Sequence, residues 1–149
     1  MRNRTYRYFD RPVLYPFSYG LSYSRFRYQG LRLSRQSITA GDSVTASVIV
    51  RNISDRVGDE IAEVYVQAPG PDSREHPFPA GFQRVHLAAG QARRITIPID
   101  PRELSRVDDA GVRKIVDGNY TIEMGGGQPQ FAPGVSATLK VIGPKNLEE

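Results

Sequence analysis

From residue 25 onward the chain repeats one pattern. Short stretches of alternating apolar and polar residues are each closed by glycine, proline, asparagine or aspartate. A period of two puts one face of a segment in a core and the other in water, which suits a β-strand and not a helix of period 3.6. Residues 26–33 begin the series, with apolar positions alternating on either side of Gly30. Residues 43–53 place Val44, Ala46, Val48 and Val50 on one face and Ser43, Thr45 and Ser47 on the other. In residues 60–68 the alternation turns Ala62, Val64 and Val66 inward and Glu63, Tyr65 and Gln67 outward. Residues 81–87 read as a short strand, and residues 93–99 align Ile95, Ile97 and Ile99. Pro98 in that stretch calls for an edge or a bulge, because proline donates nothing to a ladder. Residues 120–124 and 135–142 complete the set, the last aligning Val135, Ala137, Leu139 and Val141.

The connections agree with this reading. Residues 68–80 hold four prolines and read as a loop. Residues 100–104 resemble one helical turn, with Asp100 as N-cap, Pro101 in the first helical position and Glu103 early. Seven or so short strands, turns every 8–12 residues and no longer helix predict an all-β fold, an antiparallel β-sandwich. Tyr120 follows a Gly-Asn turn and precedes an apolar strand face, the place of a tyrosine corner. The expected core is Val44, Val48, Val64, Val66, Ile95, Ile97, Tyr120, Ile122, Leu139 and Val141.

The first 24 residues are written differently. Residues 1–36 carry eight arginines and a single acid, Asp10, whereas the remainder has twelve basic and fifteen acidic residues. The high sequence pI of 9.6 therefore belongs to the arm. Six of the eight tyrosines, with Phe9, Phe17 and Phe26, fall in the first 28 residues. Residues 15–23 pack four aromatic rings, Pro16 and Gly20 into nine positions, a wording no regular element uses. Rings at Tyr15, Phe17 and Tyr19 alternate along an extended strap, which needs a broad apolar surface to lie on. Tyrosine and arginine are enriched at protein interfaces, so Tyr6, Tyr8, Phe9, Tyr15, Phe17, Tyr19 and Tyr23 are the candidate interface residues. Tyr23 and Phe26, nearest the body, are expected to dock on the first sheet. Two other partners fit the composition: a polysaccharide or plant polymer held by exposed Tyr and Arg, and, least favoured, single-stranded nucleic acid held by stacking and phosphate pairing. Self-association through the arm is a further way to cover its rings. The organisation is a connector arm at 1–24, a sandwich at 25–143 and a tail at 144–149.

Little else points to chemistry. The chain has no cysteine, which excludes disulfides and thiolate sites. No apolar run approaches the roughly 20 residues of a membrane span, and the amino terminus lacks the apolar stretch of a signal peptide. The acid pairs Asp59-Glu60, Asp108-Asp109 and Glu148-Glu149 read as solvated turns or tail, since neighbours on a strand face opposite ways and paired glycosidase carboxylates must converge. His76 sits in the proline loop and His86 on a strand, neither with a nucleophile in context. Two histidines without cysteine offer no metal site, and no cofactor motif is present. Gly125-Gly126-Gly127 lacks the Lys-Ser/Thr of a phosphate loop and reads as a hairpin connection. Asn3, Asn52 and Asn119 head Asn-X-Ser/Thr triplets, to which no role is assigned.

Thr5-Tyr6-Arg7-Tyr8-Phe9, followed by Leu14-Tyr15-Pro16-Phe17-Ser18-Tyr19-Gly20-Leu21-Ser22-Tyr23, resembles the connector before the C-terminal fibronectin type III-like domain of glycoside hydrolase family 3, the β-glucosidases and β-xylosidases. The likeness continues through Asn52, Gly58-Asp59-Glu60, Val64-Tyr65-Val66, Gly81-Phe82-Gln83-Arg84-Val85, Leu104 and Gly118-Asn119-Tyr120-Thr121 with Gly125-Gly126. Ser18 stands where the family usually has glycine. The resemblance implies an immunoglobulin-like sandwich without catalytic residues, because the family's nucleophile and acid/base lie on other domains. It implies catalytic domains of a family 3 glycoside hydrolase as partners, and a secreted or periplasmic parent enzyme.

Overall fold

A computed structural model describes residues 12, 14–16, 19–20, 22–70, 77–108 and 110–147. Its strands in chain order are β1 (Phe26–Leu33), β2 (Ser37–Thr39), β3 (Val44–Asn52), β4 (Gly58–Gln67), β5 (Phe78–Leu87), β6 (Ala92–Ile99), β7 (Arg106–Val107), β8 (Arg113–Ile115), β9 (Gly118–Gly125), β10 (Gly134–Ile142) and β11 (Lys145–Asn146). Among the described residues seven strands run eight to ten residues, the number the alternation predicts. The other four are only two or three residues long.

Two sheets make the sandwich. One has the order β1-β3-β6 and the other β2-β10-β9-β4-β5, with every pairing antiparallel except β10 on β2. A small third sheet, β11-β8-β7, lies beside them. The inward rows Val44, Ala46, Val48 and Val50 of β3 and Ala62, Val64 and Val66 of β4 belong to one buried cluster with Ile122 and Leu139. All ten expected core residues are buried, the most exposed being Ile97 at 4%. Each such side chain stabilises the fold by roughly 1.5–3 kcal/mol. Tyr120 forms the corner: its hydroxyl donates to Val116 O at 3.0 Å and accepts from Val116 N–H at 3.1 Å.

The phase change across Gly30 has a cause. The register with β3 shifts between Gln29 and Arg32, and Gly30 has φ of 65°. The bulge absorbs one residue, so Tyr28 before it and Leu31 and Leu33 after it all pack on the core.

Four sequence expectations need correction. Residues 78–80, assigned to the proline loop, belong to β5. Pro79 is tolerated there because β5 is the edge of its sheet and the register with β4 shifts between Val64 and Tyr65. Pro98 on β6 is the matching case, on the edge of the other sheet. Glu63 and Tyr65, expected on a solvated face, are 5% and 2% exposed. Strand β4 is flanked by both β5 and β9, and the Tyr65 hydroxyl donates to Glu63 Oε2 at 2.7 Å, so the buried pair is mutually satisfied. The turn at 100–104 forms as expected, but Asp100 does not cap it with its side chain. Its carboxylate accepts from Ser43 Oγ at 3.4 Å, while Glu103 Oε2 reaches back to Asp100 N–H at 3.1 Å. Within the segment read as a tail, Lys145–Asn146 pairs with β8.

Candidate interaction site

The connector enters the sandwich through the turn between β3 and β4. Ser24 is buried and its hydroxyl donates to Val57 O at 3.2 Å. Arg25 O accepts from Ile53 N–H at 2.8 Å, and Arg25 N–H donates to Ser54 Oγ. A Cβ on Gly58 would collide with the Ser24 side chain and come within 3.1 Å of Phe26 Cζ, so glycine lets the two segments meet. Asn52 holds the same turn from inside. It is fully buried, donates to Arg56 O at 2.8 Å and Leu87 O at 3.1 Å, and accepts from Ser54 N–H at 2.9 Å. This burial accounts for the asparagine at the head of the 52–54 triplet and closes that side chain to modification.

Upstream of Ser24 the described residues turn outward. Tyr23 is 91% exposed and does not dock on the first sheet; only Phe26, within β1, packs on the core. The reason is the anchor itself: the chain bends at Tyr23 and Ser24, and with Ser24 fixed inward to Val57 O the Tyr23 ring is left outside. The expected even alternation of rings also gives way. Tyr19 N–H donates to Pro16 O at 3.0 Å, which folds Tyr19 back so that its ring sits 5.4 Å from that of Tyr15, at 43°. Such tilted pairs are an ordinary aromatic contact. Leu14, Tyr15 and Tyr19 all remain exposed. Of the seven candidate interface residues, the structure thus places Tyr15, Tyr19 and Tyr23; Tyr6, Tyr8, Phe9 and Phe17 lie outside the described residues.

A second apolar surface was not singled out from the sequence. Phe82 on β5 is 75% exposed and Ile61 on β4 is half exposed, and both face away from the core. Phe82 is paired with Glu63 and Ile61 with Arg84. Parity is the available signal. Once Val85 and Leu87 point inward, Phe82 must point outward, and once Ala62 points inward so must Ile61.

Residues 60–128 match the family model of the fibronectin type III-like domain, from the second residue pair of β4 through the loop after β9. The chain carries a fibronectin type III-like domain. It is 33% identical over 122 residues to a β-xylosidase of Formosa agariphila, covering 80% of this chain and 17% of that enzyme. To a periplasmic β-glucosidase of Salmonella typhimurium it is 37% identical over 99 residues, covering 64% of this chain and 13% of that enzyme. A solved β-glucosidase structure from Erythrobacter marinus superposes with a TM-score of 0.78 at 28% identity, covering 95% of this chain and 18% of that one. The chain therefore spans about a sixth of the length of the curated relatives it matches. The resemblance to family 3 glycoside hydrolases stands, and the matched part of those enzymes is the fibronectin type III-like domain and not the catalytic one.

Within this domain the Asp59-Glu60 pair is not what its sequence context suggests. Asp59 and Glu60 lie in β4, not in a turn. Asp59 faces out and binds Arg84 Nη2 and His86 Nδ1, each at 2.7 Å. The bond from Arg84, then that from His86, holds the Asp59 carboxyl below its ordinary range. Glu60 faces in and its Oε1 accepts from the Tyr28 hydroxyl at 2.7 Å. Burial raises the Glu60 pKa in spite of that bond, and burial with the nearby Glu60 charge raises that of Tyr28. The two carboxyls face opposite sides of one strand, so they cannot converge on a glycosidic bond. Asp108 is engaged by Lys114 at 3.0 Å and by the amides of Ala110 and Val112. Asp109, Glu148, Glu149 and His76 lie outside the described residues.

Proposed function

We propose that the chain is a non-catalytic accessory module of a family 3 β-glycosidase, bracing the enzyme's catalytic domains through its aromatic connector. The observation that carries this reading is the contrast at Ser24. Backbone and hydroxyl are fixed to the β3–β4 turn, while the adjoining Tyr15, Tyr19 and Tyr23 rings face outward. A firmly seated stem bearing outward aromatic side chains suits a contact with another domain, where such groups supply most of the binding free energy. Phe82 and Ile61 offer a second place for the same kind of contact. The periplasmic designation of one relative supports a secreted or periplasmic parent.

Hydrogen exchange on the chain alone and mixed with the separately expressed catalytic portion of a family 3 β-glucosidase tests the reading. Amides at 14–23 are expected to exchange fast alone and to slow severalfold in the mixture. Slowing by a soluble polysaccharide but not by the catalytic portion would move the assignment to a polymer-binding module. Slowing by single-stranded nucleic acid that vanishes with salt would move it to the third reading.

A further inference from the structure

An open cleft of about 510 Å³ lies between the 100–104 turn and the small sheet, lined by Pro101, Arg102, Arg113, Lys145, Asn146 and Leu147. Three of these six residues are cations and none is an acid. Among the described residues none of the three cations has an ion-pair partner. The acids of the adjoining turn are turned to its own hydrogen bonds, Glu103 to the Asp100 amide and Asp100 to Ser43. Nearby Lys114 is held by Asp108.

The cations are also held in place. Ser105, 5% exposed, donates to Arg102 O at 2.6 Å and accepts from Arg113 Nη1 at 3.1 Å, which fixes that guanidinium and the turn bearing Arg102. The Lys145 side chain lies over the Gly41 turn from Cδ to its ammonium, and a Cβ on Gly41 would come within 2.5 Å of Nζ and 2.8 Å of Cδ. Gly41 has φ of 101°, a conformation glycine adopts without strain. Like charges gathered without a counter-charge repel, and a guanidinium offers a planar fork that fits a carboxylate or sulfate bidentately. Orienting such donors in advance lowers the ordering cost of binding.

We infer that the cleft formed by Arg102, Arg113 and Lys145 is a binding site for a small ligand or saccharide bearing two or more carboxylate groups. Pro101 and Leu147 supply an apolar wall for the ligand's carbon frame, and the Asn146 amide a neutral polar group. One cation would serve a single charge; three in one cleft favour a ligand that presents several.

Titration of the 149-residue chain, followed by amide NMR at constant ionic strength, tests this. Citrate is the free polycarboxylate and trigalacturonate the polymer-borne one. Saturable shifts at residues 101–105, 113–115 and 145–147 are expected with both, tighter with trigalacturonate if the natural source is a polymer. Arg102→Gln and Lys145→Gln, at exposed positions, should each weaken binding about tenfold, as loss of one charge-assisted contact does. A Glu148→Gln/Glu149→Gln double variant should bind as the parent does. Shifts spread over the surface that track ionic strength would overturn the inference. So would citrate binding seen only in the double variant, which assigns the cleft to the chain's own carboxylates. Binding of hexaglutamate alone would overturn it in favour of a protein partner.

Discussion

Asp59 and Glu60 are consecutive residues of β4 with the same charged group, and the sheet gives them opposite fates. Asp59 stands on the outer face between a guanidinium and an imidazole, and its charge is favoured. Glu60 points inward toward Tyr28, and its charge is disfavoured by burial. Yet four residues beyond Asp59 the outer face itself becomes buried at Glu63 and then Tyr65, while Phe82 beside them lies open. Inward and outward are thus not synonyms for dry and wet in this sheet. What decides is whether the position is central or at the edge, and what it pairs with.

The strongest test of that contrast is on the inner face. Ile122→Ala should cost about 2–5 kcal/mol through lost burial and a cavity, measured by denaturant melts. A cost below about 1 kcal/mol would deny the inner face its role. On the outer face, Tyr65→Phe should cost about 1–3 kcal/mol, because it removes the hydroxyl bond to the buried Glu63 carboxylate. A silent Tyr65→Phe would make the outer face an ordinary solvated one.

The adjacent carboxyls supply a test by pH. The Glu60 pKa is raised on folding, so its stabilising contribution is full below the ordinary glutamate range and is lost as pH rises through the folded value. That of Asp59 is depressed, so its contribution is present above the ordinary aspartate range and is lost as pH falls through the folded value. Glu60→Gln should therefore gain stability over the parent at pH 7, a gain that shrinks at pH 4. Asp59→Asn should lose stability at pH 7, a loss that shrinks on acidification. Thermal melts at the two pH values and fixed ionic strength read both, and changes of the same sign would break the contrast. The smallest effect is expected at Phe82→Ser, within about 0.5 kcal/mol of the parent, as for an exposed site without partners. Aggregation or thermal shifts well beyond that would show that Phe82 is already covered.

The inner face was legible from sequence because it depends on a local rule, alternation, that strands from Val44 to Val141 obey. The tyrosine corner was legible for the same reason, being set by a turn and the strand after it. The outer burial of Glu63 and Tyr65 was not legible, because it requires knowing that β4 lies between β5 and β9. The cationic cleft escaped for a related reason: Lys145 reaches Arg113 only through the short pairing of β11 with β8, and the Arg102 turn is tied to Arg113 by Ser105. In the connector, the composition announced an exposed aromatic surface, but the anchor at Ser24 depends on the close approach allowed by Gly58, 34 positions away. The start of β5 was misread because proline was weighed as a breaker without knowing that the strand lies at an edge.

The two prolines on the edge strands have a consequence for how the domain meets copies of itself. An open strand edge is a template onto which a second copy can add its own strand, and repeated addition yields polymers. Pro79 on β5 and Pro98 on β6 each withhold a backbone donor from such an addition, and the Arg84, His86, Arg93 and Arg94 side chains add bulk and charge along the same strands. Addition of a strand from a second copy is thus discouraged at the β5 and β6 edges, and each sheet ends there.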